Sequence, residues 1–152
     1  MCGSSESLLA DWRERAFADC RFMESAAGVL AAVRAAGYRT GIITNGRSEF
    51  QRAKLNSLDL ESKVDVVLVS GEEGMHKPAA ELFHRAAERL GVPAERCLYI
   101  GDNPVNDVGG ATAAGMHAIW LERDLPWPSD MPRPKHSLQS LAGLLRILKR
   151  SS

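Results

Sequence analysis

The sequence predicts an α/β fold built on a doubly wound parallel sheet. Three observations carry this. Helix-like and strand-like patterns alternate along most of the chain, as in a parallel sheet covered by helices on both faces. The run VDVVLV at 64–69 is apolar apart from Asp65 near its start, as expected of a strand buried on both faces. The turns that follow the strand-like runs hold the chemically distinctive polar residues, and ligands bind at the carboxyl ends of strands in such sheets.

The elements follow in order. Residues 7–22 place Leu8, Leu9, Trp12, Ala16 and Cys20 at helical spacing. Residues 25–36 form a second, Ala-rich helix with Leu30 and Val33 on one face and Gly37 as its stop. A strand runs from Tyr38 to Thr44 and enters Asn45-Gly46, and a helix spans Glu49 to Leu58. After the strand at 64–69, Pro78 stands at the expected first position of a helix, where its missing N–H costs nothing. Cys97 to Gly101 reads as a strand, Asn106 to Ala114 as a helix closed by Gly115, and Ala118 to Leu121 as a strand. Pro126, Pro128, Pro132 and Pro134 mark an irregular stretch before an amphipathic helix from Leu141 to Lys149.

The composition excludes several classes of function. Lys plus Arg is 19 and Asp plus Glu is 19, so no basic field favours nucleic acid or an anionic membrane surface. No apolar run approaches the ~18 residues that span a bilayer. The start, Met1 to Ser7, has neither the charge nor the apolar core of a secretory signal. Cys2, Cys20 and Cys97 fit no metal or redox spacing, and reduced thiols in a cytoplasmic protein are expected.

Three strand ends carry candidate chemistry. Thr44-Asn45-Gly46 offers a hydroxyl and backbone N–H groups to a phosphate oxygen. Lys77 lies just before an expected helix N-terminus, where an anion is favoured and a lysine is out of place unless it meets one. Asp102 and Asp107 flank a strand-to-helix turn, from which both carboxylates can face a hard cation such as Mg²⁺. Each has a plain structural reading as well: a common turn, a solvated lysine, and an Asp107 that caps the next helix.

The segments IITNG, GMHKPAAELF and YIGDNPVNDVGGATAAGM, in that order, resemble the second, third and fourth motifs of the haloacid dehalogenase superfamily. The resemblance runs from about residue 24 to the end, with AIWLERD and HSLQSLAGLL similar to the family's last strand and terminal helix. It implies a Rossmann-like core in which a phosphate ester binds beside Mg²⁺ and an aspartate attacks phosphorus to form an aspartyl-phosphate, which water then hydrolyses. It implies that Thr44 and the amides of Asn45 and Gly46 hold phosphoryl oxygens. Lys77 would neutralise phosphate charge and orient the nucleophile. Asp102 would bind Mg²⁺ directly, with Asp107 supporting the ion through water or a hydrogen bond. Asn103 is a weaker candidate for the metal shell. A two-component receiver domain also uses Asp, Thr and Lys, but its acidic residues precede the other two.

The family's first motif, an apolar strand ending in Asp-x-Asp, has no counterpart. No two of the aspartates, at 11, 19, 59, 65, 102, 107, 124 and 130, are separated by a single residue. The expectation is therefore a phosphatase acting on a small phosphorylated metabolite whose nucleophile lies outside these residues. Residues 1–22 would be the remnant of a helical cap and 23–152 the core. The loss of a nucleophile costs on the order of 10⁶ in another nucleophilic enzyme, so the chain alone is expected to be inactive. The alternative is a non-catalytic protein that binds phosphate or metal. A gap is also expected between the strands at 38–44 and 97–101. A central strand would contribute roughly 6–12 kcal/mol of apolar burial, and its absence leaves inner edges open to self-association.

Overall fold

The computed structural model describes residues 26–150. The helix expected over residues 7–22, and with it the cap remnant assigned to 1–22, lies outside the described residues.

Helix α1 spans 26–35 and ends at Gly37, whose φ of +89° suits glycine. Strand β1 (Gly41–Thr44) leads to α2 (Ser48–Ser57), a 3₁₀ turn at Glu61–Lys63 and β2 (Val66–Val69). The short α3 (Ser70–Glu73) and the longer α4 (Ala80–Leu90) follow. A second 3₁₀ turn at Ala94–Arg96 precedes β3 (Leu98–Gly101). A π-helical turn at Pro104–Gly109 continues into α5 (Gly110–Ala113). The remaining elements are β4 (His117–Leu121), β5 (Ser137–Leu138) and α6 (Ala142–Arg150).

All strand pairs are parallel, as the helix–strand alternation requires. They form two sheets, β1-β2 and β3-β4-β5. Thr40 O accepts from the Asp65 and Val66 amides on the β2 side. Backbone groups alternate sides along a strand, so those of Ile43 face away from β2. Likewise Cys97 O accepts from the His117 amide on the β4 side, which turns Ile100 to the other edge. The inner edges of β1 and β3 thus have no ladder partner among the described residues.

Helix α4 is the common cover of the two sheets. Its buried positions are Leu82, Phe83, Ala86 and Ala87, two adjacent pairs one turn apart. Leu82 and Ala86 pack with Leu68 of β2. Phe83 and Ala87 pack with Ala111, Ala114 and Met116 on the β3 side. Ile43 of β1 touches both clusters. Leu82 and Phe83 are fully buried, which stabilises by roughly 1.5–3 kcal/mol each.

Four expectations are corrected. Strand β1 starts at Gly41 rather than Tyr38, because the Asp65 carboxylate takes the Thr40 amide (2.7 Å) where a ladder would begin. Pro78 does not open α4. It lies in a turn closed by the Ala79 amide on His76 O (3.0 Å), after a cis Lys77–Pro78 bond, and the helix begins at Ala80. The segment expected as a helix from Asn106 begins earlier, at Pro104, and its first part is a π-helical turn. Strand β5 adds a short parallel edge just after the proline-rich stretch, which has no strand periodicity.

One side of the β1-β2 sheet is fastened by charge. Arg52 on α2 donates to Glu72 (2.7 and 2.9 Å) and to Glu61 (2.9 Å), and Ser48 donates to Glu72 (2.5 Å). These contacts, Arg52 first and then Ser48, hold the Glu72 carboxyl at about 2 instead of its ordinary 4.5. Arg85 and Arg89 likewise lower Glu73, and the Thr40 amide lowers Asp65. A carboxylate whose folded pKa is depressed contributes stability above its unfolded pKa and loses it as the pH falls through the folded value. For Glu72 the window runs from 4.5 down to about 2. Arg52→Met is expected to lower the urea midpoint at pH 7, with the difference from the parent shrinking across that window. A difference that stays constant to pH 2 would contradict this assignment.

Candidate phosphate and cation site

The carboxyl ends of β1 and β3 bring three of the sequence-derived segments together. The centre is Lys77. An ammonium has three N–H donors, and three acceptors surround this one: Asp107 Oδ1 (2.6 Å), Tyr99 Oη (3.1 Å) and Ile43 O (3.2 Å). The Ile43 carbonyl is on the inner edge of β1, so Lys77 stands in for a ladder partner there. The electrostatic partner of the lysine is Asp107.

Asp107 is 5% exposed. Its Oδ1 also accepts from the Tyr99 hydroxyl (3.2 Å), and its Oδ2 accepts from the Asn103 amide (3.0 Å). It does not cap the following helix. Asn103 does, its Oδ1 accepting from the Val105 and Asn106 amides (3.1 and 2.9 Å), which commits that oxygen to the turn. Gly101 makes the close approach feasible. A Cβ there would lie 2.3 Å from the Asp107 Cβ. Tyr99, whose ring packs edge-on against Phe83 at 4.9 Å, is half-buried, and its hydroxyl pKa is pushed well up by desolvation and then by the Asp107 charge.

Asn45 fixes Lys77 from the other side. Its Nδ2 donates to Lys77 O (3.0 Å) and its Oδ1 accepts from the Lys77 amide (2.9 Å). This paired bond ties the end of β1 to the 74–79 turn. The Gly46 amide donates to Ser70 Oγ (2.9 Å), and Thr44 Oγ1 donates to Gln51 Oε1 (2.8 Å). Gly46 has φ +146°, and a Cβ there would lie 2.5 Å from Gln51 Nε2, so only glycine suits the turn.

Asp102 differs from Asp107. Its side chain is 42% exposed, and its nearest cation is Arg123 at 3.9 Å. Burial of the carboxyl, and then the neighbouring Asp107 charge, raise its pKa. An oxygen donor whose ionised form is raised in energy in this way fits a hard divalent cation such as Mg²⁺. The set is incomplete. Among the described residues there is no group of three His, Cys, Asp or Glu side chains that could hold a metal, and both Asp107 oxygens have other partners.

Tyr99, Gln51 and Ser70 were not anticipated from the sequence. Tyr99 is the one polar-tipped side chain in CLYIG, which was the available signal. Gln51 and Ser70 carry none, because their roles depend on where α2 and α3 begin.

The fold and site define an α/β protein with a polar cluster centred on a buried lysine–aspartate pair at the strand ends. The profile of the haloacid dehalogenase-like hydrolases matches residues 6–115, and the chain belongs to that family. The match begins earlier than residue 24 and stops before the terminal helix. Phosphoserine phosphatase from Thermus thermophilus is 42% identical over 96 residues, 63% of this chain and 39% of that protein. Glyceraldehyde 3-phosphate phosphatase from Pyrococcus abyssi is 35% identical over 106 residues, 70% of this chain and 44% of that protein. The chain thus spans less than half the length of these two relatives. A crystal structure of a phosphatase of this family from Thermococcus onnurineus superposes with a TM-score of 0.72 at 33% identity, covering 80% of this chain and 55% of that one. No helix among the described residues is long and apolar enough to cross a membrane.

The buried pair makes a sharp energetic demand. Asp107→Ala leaves the Lys77 charge with only neutral acceptors and should cost about 3–5 kcal/mol in urea unfolding. Replacing both partners, Lys77→Met with Asp107→Leu, should cost much less, because no charge is stranded. A single-variant loss below about 1 kcal/mol would show the pair to be solvated.

Proposed function

We propose that this chain carries the phosphate- and Mg²⁺-binding part of a phosphatase acting on small phosphorylated metabolites. The observation that carries the reading is the Lys77–Asp107 pair at 2.6 Å, set between the ends of β1 and β3 with the Asp102 carboxylate beside it. Family membership supports it, as do the names of the relatives from T. thermophilus and P. abyssi.

In this reading Thr44 and the amides of the Asn45-Gly46 turn would donate to the phosphoryl oxygens, the Thr44 hydroxyl and the Gly46 amide leaving Gln51 Oε1 and Ser70 Oγ to do so. Asn45 holds Lys77 in place, and Lys77 neutralises phosphate charge. Asp102 would hold Mg²⁺, while Asp107 fixes Lys77 and the Asn103 turn. The ion, when bound, supplies positive charge to the phosphoryl oxygens. The other acids and donors act by position, which is most of what phosphoryl transfer asks of a protein.

The attacking carboxylate is not among these residues, since the 152 residues hold no Asp-x-Asp pair. A strand that brings one would fit between β1 and β3. It would also take Ile43 O as an acceptor, and so return one Lys77 N–H to the substrate. The same open edges favour self-association through β1 and β3. The alternative, a non-catalytic phosphate- or metal-binding protein, is favoured only by the missing pair.

The chain alone is expected to show no turnover of p-nitrophenyl phosphate with Mg²⁺ and only weak Mg²⁺ binding by calorimetry. It should gain activity when mixed with an apolar peptide ending in Asp-x-Asp-x-Thr, and the peptide should also shift any oligomer seen by sedimentation toward monomer. Turnover by the chain alone that Asp102→Ala abolishes would contradict the assignment of the nucleophile to another segment. A stable monomer that no peptide activates would favour the binding-protein reading.

A further inference from the structure

The phosphate-site reading leaves one residue of the Thr44-Asn45-Gly46 turn with an unresolved demand. Thr44 has one hydroxyl proton, and to bind a phosphoryl oxygen it must donate that proton to the anion. In this structure the proton goes elsewhere, to Gln51 Oε1 at 2.8 Å. A side chain that only accepted at this position would compete with the ligand for the same proton.

Gln51 is not such a side chain. Its carboxamide carries an acceptor and a donor at nearly the same distance from its stem, and a half turn about its last torsion exchanges them. Its location allows the exchange to act on Thr44. Gln51 lies in the first part of α2 and is half-buried, and its carboxamide spans the turn from the Thr44 hydroxyl to the α-carbon of Gly46. The glycine leaves the space for it, since a Cβ at 46 would meet Gln51 Nε2 at 2.5 Å and Cγ at 3.0 Å.

We propose that Gln51 is a positioning residue that sets the direction of the Thr44 proton. With no anion bound, Oε1 accepts the proton. With a phosphate bound, the carboxamide is reversed, Nε2 donates to Thr44 Oγ1, and the hydroxyl donates to a phosphoryl oxygen. No bond to phosphorus is made or broken by this change, so it does not depend on the nucleophile. It rests on the reading of Thr44 as a phosphate ligand.

The test is a titration of the intact chain with inorganic phosphate, followed by the backbone amide resonances of residues 44–46 and the side-chain amide resonances of Gln51. Two variants are compared in two backgrounds. Gln51→Leu can neither accept nor donate. Gln51→Glu keeps the shape but can only accept, so it holds the Thr44 proton. With Thr44 present, Gln51→Leu removes one hydrogen bond to Thr44 from the free state and one from the bound state, so it should change phosphate binding less than about 2-fold. Gln51→Glu can bond Thr44 in the free state only, and should weaken binding roughly 2–10-fold beyond the loss caused by its charge. In the Thr44→Val background, Gln51→Leu should have no effect, and Gln51→Glu should retain only the smaller loss caused by its charge. Because the readout is a coupling between two positions, a general loosening of α2 does not reproduce it. Equal losses from Gln51→Glu in both backgrounds, or unmoved Gln51 side-chain resonances when residues 44–46 shift, would overturn the proposal while leaving the phosphate site standing. No phosphate-dependent shift at residues 44–46 of the parent chain would overturn the phosphate reading itself, and the role of Gln51 with it.

Discussion

The ion pair between Lys77 and Asp107 is the contact on which the arrangement of the site depends. At 2.6 Å, with side chains 12% and 7% exposed, it joins the turn before α4 to the turn after β3. The same ammonium reaches Ile43 O of β1 and Tyr99 Oη of β3. Those two strands belong to different sheets and share no ladder. A charge thus sits where a backbone partner would otherwise be, and each polar atom it meets is satisfied. Among the described residues, no buried side-chain nitrogen or oxygen lacks a partner. Burying two charges is costly, and the cluster of hydrogen bonds around this pair is what makes it tolerable.

The apolar half of the same junction is α4. Its two pairs of buried residues face the two sheets, so one helix covers a division that backbone hydrogen bonds do not bridge. Packing fixes the sheets side by side, and the polar cluster fixes their strand ends. Site and architecture are linked through Lys77, because one of its three donors is spent on the edge of β1.

Much of this was legible in the sequence, for physical reasons. The alternation of helical and apolar runs fixes a parallel sheet, and Thr44, Lys77, Asp102 and Asp107 follow three of its elements. Turn chemistry was less readable. Pro78 suits a first helical position, yet the turn closed on His76 delays the helix to Ala80. Asp107 could also be read from its spacing as the cap of the next helix, but Asn103 takes the amides and Asp107 pairs with Lys77. Tyr99 reads as an ordinary strand residue, because only the third dimension puts its hydroxyl beside a lysine 22 residues away. The pairing of Gln51 with Thr44 is likewise set by where α2 begins, and helix starts are weakly encoded when no side chain caps them, as here at Arg47.

The central claim is that the inner edges of β1 and β3 accept an apolar strand that ends in Asp-x-Asp. Backbone alternation puts the Ile43 and Ile100 amides on those edges. Hydrogen exchange of the chain, with and without an apolar Asp-x-Asp-x-Thr peptide, addresses this directly. The account predicts that the peptide slows exchange at Ile43 and Ile100 and leaves the outer edges of β2 and β5 unchanged. Unaltered exchange at both inner-edge amides, or protection confined to the outer edges, would contradict it.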